Sequence, residues 1–154
     1  MSNILLENYI KAIIEENVIN ELHVFDFDMT LYSHANKDWI QKTLNELKNS
    51  LSNTKVRVVL CTARSNNSEY ILSTEKLLNQ IGMSLNNFDY CYFKSVNRKE
   101  NAPTYKSCVI LDEVCANNQI KTVKFWDDRQ DSLDLTGSKL KKYNNKINYL
   151  PVKC

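Results

Sequence analysis

The sequence predicts an α/β fold: a single domain over residues 1–154, with about five mostly parallel strands and helices on both faces. Three observations carry this. Short apolar runs alternate with amphipathic stretches along the chain, which calls for right-handed crossovers between parallel strands. Runs such as Lys55 to Cys61 (KVRVVLC) are β-branched and apolar, as strands buried on both faces are. Polar and charged residues collect just after the strands, at the edge where open α/β sheets bind ligands.

Residues 3–17 place Leu6, Tyr9, Ile10, Ile13 and Ile14 on one stripe, with Glu7, Lys11 and Glu15 opposite. That is an N-terminal helix (within residues 1–20) expected to pack on the core; a partner-binding helix is the alternative. The first strand follows over about 21–27. Ile40, Leu44, Leu47 and Leu51 set a helix over about 36–51, and Lys55–Cys61 is the second strand. Ile71, Leu78 and Ile81 mark a helix over about 67–81, stopped by Gly82. Phe88 to Phe93 reads as the third strand, and Ser95–Ala102 as polar loop. Pro103 suits the first turn of a helix whose Val109, Ile110 and Val114 face inward. Lys121 to Trp126 is the fourth strand, before a helix over about 131–143 and a short strand near Ile147–Val152.

A net charge of +2 exerts no global pull toward nucleic acid or membrane, so any basic face must be local. Low glycine content goes with the absence of a glycine-rich phosphate loop or Walker motif, so any kinase activity is expected from another chain. The cysteines (Cys61, Cys91, Cys108, Cys115, Cys154) form no C-x-x-C pair and have no histidine at zinc spacing; free thiols are expected. No apolar run approaches the ~18 residues of a membrane span. The N-terminus lacks a basic n-region and a small-residue cleavage site. A soluble, cytoplasmic protein without a membrane partner is expected.

Chemistry concentrates in His23–Tyr32 (HVFDFDMTLY). Asp26 and Asp28 end the first strand two residues apart, on the same side if the strand continues. Two like charges there need a cation or a proton to coexist. Thr62 and Arg64 follow the second strand, Asp127 and Asp128 the fourth, and Lys106 lies in the first turn of the helix feeding the fourth. D-x-D-x-T alone could be a turn or a helix cap. Four segments in this order, each at an element boundary, point to metal-assisted phosphoryl transfer. One cation can bridge them only if Asp26 lies within about 10 Å of Asp127 or Asp128.

VFDFDMTL, LCTAR, the Thr104-Tyr105-Lys106 helix start and FWDDR resemble the four motifs of the haloacid dehalogenase (HAD) superfamily of phosphohydrolases, over about residues 22–131. Within it, the TAR, PTYK and WDDR segments are most similar to the phosphatase half of bacteriophage polynucleotide kinases and the HAD domain of RNA-repair-like proteins. The resemblance implies a Rossmann-like HAD fold and a Mg²⁺-dependent phosphomonoesterase. Asp26 would attack phosphorus to form an aspartyl-phosphate, and Asp28 would protonate the leaving oxygen, then activate water. Asp26, the backbone carbonyl of Asp28, and Asp128 or Asp127 would hold Mg²⁺. Thr62 and Lys106 would contact the phosphate, with Thr30, Arg64, Lys94 and Arg129 as substrate-binding residues.

Met29 stands where this family usually has glycine, and an L-residue there strains the loop if its φ is positive. Lys94, ending the third strand, competes with Lys106 for the phosphate; Lys106 is favoured because it starts a helix just upstream of the fourth strand. His34 is a candidate substrate contact, and His23 a core or edge histidine. The 36 positions from Asp26 to Thr62 hold a helix and a strand, leaving no room for a large cap. In the family it resembles an open site goes with bulky substrates such as nucleic-acid ends or proteins. With that resemblance and Arg64 and Arg129 flanking the site, the leading expectation is a 3′-phosphatase of polynucleotide ends in DNA or RNA repair, with a kinase or ligase partner on another chain. Lys139, Lys141, Lys142 and Lys146 read first as a solvated helix face. Tyr90, Tyr92, Tyr105 and Trp126 read first as core, although aromatic side chains also stack bases. Rival readings are a phosphatase of phosphoproteins or small metabolites, and a degenerate Mg²⁺-binding partner module. A response-regulator receiver also uses strand-end acids, but on different strands and in another order.

Overall fold

The computed structural model describes residues 3–16 and 18–154. In chain order the elements are α1 (Asn3–Glu16), β1 (Glu21–Phe25), β2 (Tyr32–Ser33), β3 (Asp38–Trp39), α2 (Gln41–Leu51), β4 (Val56–Ser65) and α3 (Ser68–Asn79). Then come a 3-10 turn (Leu85–Asn87), β5 (Tyr90–Lys94), α4 (Ala102–Ala116), β6 (Thr122–Asp127), α5 (Gln130–Tyr143) and β7 (Asn148–Lys153). Five strands form one parallel sheet in the order β5-β4-β1-β6-β7, and β2 pairs with β3 as a separate antiparallel ribbon.

Period-2 alternation sends the apolar side chains of each central strand to both faces. On one face Leu22 and Val24 of β1 and Val123 and Phe125 of β6 meet α4 and α5 through Val109, Ile110, Leu133 and Leu140. On the other, Phe25 and Trp126, stacked at 4.1 Å, join Leu44 and Leu47 of α2 and Leu78 of α3. β1 lies at the centre with neighbours on both sides, so its carboxyl end is held by the whole sheet.

The predicted helices and strands are present, with two differences. The helix expected from residue 36 begins at Gln41. Residues 32–39 form the short ribbon instead, with Lys37 at φ 51 turning its corner and Ile40 extended at ψ 95 before the helix. The helix α1 does not pack on the core as expected: from Asn3 to Glu15 every residue is exposed. The physical reason is that the two sheet faces are already covered, by α2 with α3 and by α4 with α5. The cysteines are free, and no described helix is long and apolar enough to cross a membrane.

Candidate active site

The site forms where β1 runs out. Asp26 N–H still donates to the Trp126 carbonyl at 3.0 Å, extending the β1–β6 pairing by one residue and fixing the Asp26 backbone. The chain then folds back sharply. The Phe27 carbonyl accepts from Leu31 N–H at 2.9 Å and Tyr32 N–H at 3.1 Å, and Met29 N–H reaches the Tyr32 carbonyl at 2.8 Å. Met29 adopts φ 60, the positive value at which an L-residue is strained.

Asp26 and Asp127, both buried, share one cation from the protein, Lys106. Its ammonium donates to Asp127 Oδ2 at 2.7 Å and stands 3.0 Å from Asp26 Oδ1. The second oxygen of Asp127 accepts the Arg129 N–H at 2.8 Å. Thr30, also buried, offers its hydroxyl to Asp26 Oδ2 at 3.4 Å. Burial pushes Asp26 up to about 7; Lys106 opposes the shift and Asp127 adds to it. Burial raises Asp127 too, against the pull of Lys106. Burial alone would lower Lys106, but the two carboxylates hold it above its ordinary value.

Asp26, Asp127 and Asp128 each offer an oxygen, and these atoms lie within 4.8 Å of one another, well inside the limit set by a shared cation. Lys106 pairs with two of these three carboxylates, Asp26 and Asp127, so the cluster carries more acids than the lysine can balance. An all-oxygen donor set of this kind fits a hard divalent ion such as Mg²⁺. Asp26 and Asp128 line the open cleft of about 350 Å³ above the sheet edge, while Asp127 lies beneath it, engaged by Lys106 and Arg129.

Asp28 faces the other wall of the cleft. Arg64 grips its carboxylate with Nε at 2.9 Å and Nη2 at 2.8 Å, and His34 Nε2 lies 2.5 Å from Oδ1. The same His34 nitrogen also stands 2.9 Å from Arg64 Nη2, so Asp28, His34 and Arg64 form one polar cluster. Burial would raise Asp28, yet the Arg64 and His34 contacts hold it below the usual carboxylate range. Arg64 also lies over the Phe27 ring at 4.6 Å and donates through Nη1 to Thr74 Oγ1 at 2.9 Å.

Of the residues expected from sequence, Asp26, Asp28, Arg64, Lys106, Asp128 and Arg129 meet at the cleft. Thr30 and Thr62 do not reach it. Both are fully buried, Thr30 on Asp26 and Thr62 accepting the Arg64 N–H at 3.2 Å, so their hydroxyls are engaged within the protein. Lys94 donates to the Glu100 carbonyl and does not line the cleft, whereas Lys106 does. The Arg64 fork, expected on phosphate, is on Asp28 in this structure, and the Asp28 carboxylate stands outside the acidic cluster. Arg129 pairs with Asp131 at 2.7 Å. Tyr105 and Trp126 are core as first read, Tyr92 bonds Glu113, and none of the four aromatics considered for base stacking lines the cleft. His23 bonds Ser50 at 2.7 Å and Glu21 at 2.9 Å, a structural role. Sequence reasoning missed Tyr70 as a lining residue and Thr74 as the anchor of Arg64, since both sit inside an ordinary helical stripe.

A parallel sheet with helices on both faces, acids at the ends of β1 and β6 and a lysine between them define a Rossmann-like HAD fold. The chain belongs to HAD domain family 1 in Swiss Army Knife RNA repair proteins, whose model matches residues 10–153. A chain of the Pnkp1/Rnl/Hen1 RNA repair complex shares the fold, with a TM-score of 0.65 and 18% identity over 88% of this chain. The present chain spans 43% of the length of that one. Among curated proteins no sequence matches.

Proposed function

We propose that this protein is a Mg²⁺-dependent phosphomonoesterase that works through an aspartyl-phosphate on Asp26. Its substrate in this reading is a phosphorylated polynucleotide end, a 3′-phosphate, in RNA repair. The observation that carries it is the meeting of oxygens from Asp26, Asp127 and Asp128 within 4.8 Å at one sheet edge, with Lys106 on Asp26 and Asp127. Family membership supports the phosphatase class and the repair setting.

Asp26 and Asp128 would hold Mg²⁺, with the Asp28 carbonyl as a third oxygen; the ion supplies charge that keeps Asp26 ionised and screens it from phosphate. Lys106 orients the Asp26 carboxylate and neutralises charge on the transferring group. Once its carboxylate is freed from Arg64, Asp28 takes up a proton from solvent; Asp26 then attacks phosphorus, the P–O bond to the leaving group breaks, and Asp28 passes that proton to the leaving oxygen. Asp28 then takes a proton from the water that attacks the aspartyl-phosphate, releasing phosphate and restoring Asp26. Arg64 must leave Asp28 for this, and an arriving phosphate is the acceptor that draws its fork away. The cleft is open, and among the described residues no large cap lies over it, which suits the end of a polymer. Kinase or ligase partners on other chains and an intracellular site of action belong to this reading; that the structural match is a chain of an RNA repair complex is in keeping with such partners.

Phosphate release measured over 3′- and 5′-phosphorylated RNA and DNA oligonucleotides, phosphopeptides and sugar phosphates tests the assignment. Release from 3′-ended RNA is expected; release from sugar phosphates alone would remove the repair substrate. One observation favours a second reading, a Mg²⁺-binding module without catalysis: Asp28 is locked on Arg64 and His34. Equal background release by wild type and Asp26→Asn would favour the module.

A further inference from the structure

We propose that Met29 and Tyr70 form a slot that grips the nucleoside carrying the phosphate, and so decide which phosphomonoesters the site accepts. The proposal rests on the phosphatase reading and adds the residues that select its substrate. Among the residues lining the cleft, these two are the large apolar side chains left exposed, each at 43%. The other lining residues are charged or small.

Met29 holds φ 60, a conformation that favours glycine. Its exposed side chain gains little from the core to offset that strain, and strained positions of this kind cluster at ligand sites. Tyr70 stands in the first turn of α3, which is pinned from the cleft side. Thr74 and Ser73 donate to the Tyr70 carbonyl at 2.8 and 3.0 Å, and both hydroxyls also accept from Arg64 Nη1, at 2.9 and 3.3 Å. The rest of the Arg64 fork holds Asp28, the residue before Met29. In this structure one arginine thus touches both lips of the slot, through Asp28 on one side and through Ser73 and Thr74 on the other.

An aromatic ring and a polarisable thioether beside a phosphate site match a phosphate joined to a flat group. Stacking on tyrosine is a sequence-tolerant way to hold a nucleic-acid base. Phosphotyrosine offers a similar flat group, but the family's RNA-repair setting favours the nucleoside.

The test is a selectivity ratio: kcat/KM for an RNA oligonucleotide 3′-phosphate over that for glycerol phosphate, in wild type, Tyr70→Leu, Tyr70→Phe and Met29→Gly. Equilibrium binding of a nucleoside 3′-monophosphate and of glycerol phosphate is measured alongside. Tyr70→Leu and Met29→Gly should each lower the ratio at least tenfold, mainly through KM for the oligonucleotide, while Tyr70→Phe keeps it. Met29→Gly should not lower the thermal midpoint, since it relieves the backbone. An unchanged ratio in Tyr70→Leu and Met29→Gly would overturn the slot. A phosphotyrosine peptide preferred over the oligonucleotide would overturn the nucleoside. If wild type releases no phosphate from any substrate, the phosphatase reading fails and binding decides the slot. Tighter binding of the nucleoside 3′-monophosphate that both variants lose would support it, and equal binding of the two phosphates would end it.

Discussion

Asp26→Asn should stabilise the metal-free protein at pH 8, although it removes the proposed nucleophile. In the fold the Asp26 carboxyl is pushed from 3.8 up to about 7 by burial and by Asp127, against the pull of Lys106. Because the folded value lies above the unfolded one, the stability this group contributes is fully present below about pH 4 and lost as pH rises through about 7. At 1.36 kcal/mol per unit, the ionised acid costs the fold about 4 kcal/mol at pH 8. Asparagine mimics the uncharged acid but lacks its O–H, so a gain of about 2–4 kcal/mol is expected. That is a rise of roughly 4–16 °C in midpoint for a chain of this size. Thermal melts in EDTA across pH 4–8 should show the two proteins converging at pH 4 and separating above pH 6. Mg²⁺ at ~100 times its dissociation constant should then raise wild type by about 2.7 kcal/mol and the variant by less. A variant less stable than wild type at pH 8 in EDTA would refute the electrostatic reasoning.

Lys106→Met leaves Asp26 and Asp127 buried without their shared cation, so a loss of about 3–5 kcal/mol in urea unfolding is expected along with loss of phosphate release. Arg64→Lys replaces the fork on Asp28 with a point charge and breaks the tie to Thr74; kcat/KM should fall at least about tenfold in phosphate-release kinetics. Asp128→Asn, at the cleft, should weaken Mg²⁺ in calorimetric titration by at least about tenfold while leaving the metal-free midpoint within a few degrees. Gly137→Ala places a Cβ 2.8 Å from the Tyr149 ring, whose hydroxyl is pinned to the Leu133 carbonyl. Overpacking should cost about 1–3 kcal/mol in chemical denaturation despite the better helix residue.

The buried strands were legible because each is apolar on both faces, and the strand-end acids because an open parallel sheet leaves its carboxyl edge free. Element ends blurred where local chemistry overrode periodicity, as in the ribbon at 32–39, whose pairing depends on Lys37 turning with positive φ. The α1 stripe gave the helix but not its surroundings, because amphipathicity does not say which face is still uncovered. At the site, Asp26, Lys106 and the Asp127-Asp128 pair were readable from motif order. The duties of Thr30, Thr62 and Lys94 were not, since burial and a carbonyl partner decide them. That Arg64 holds Asp28 depends on how two strand ends lie side by side, and spacing along one chain does not encode that.

Borohydride trapping asks most directly whether Asp26 bonds to phosphorus. Wild type, Mg²⁺ and a 3′-phosphorylated RNA oligonucleotide are mixed, quenched in borohydride and digested for peptide mass analysis. Reduction of residue 26 to homoserine, in wild type and only with both Mg²⁺ and substrate, is the expected result. Steady phosphate release with residue 26 still an unmodified aspartate would contradict the mechanism.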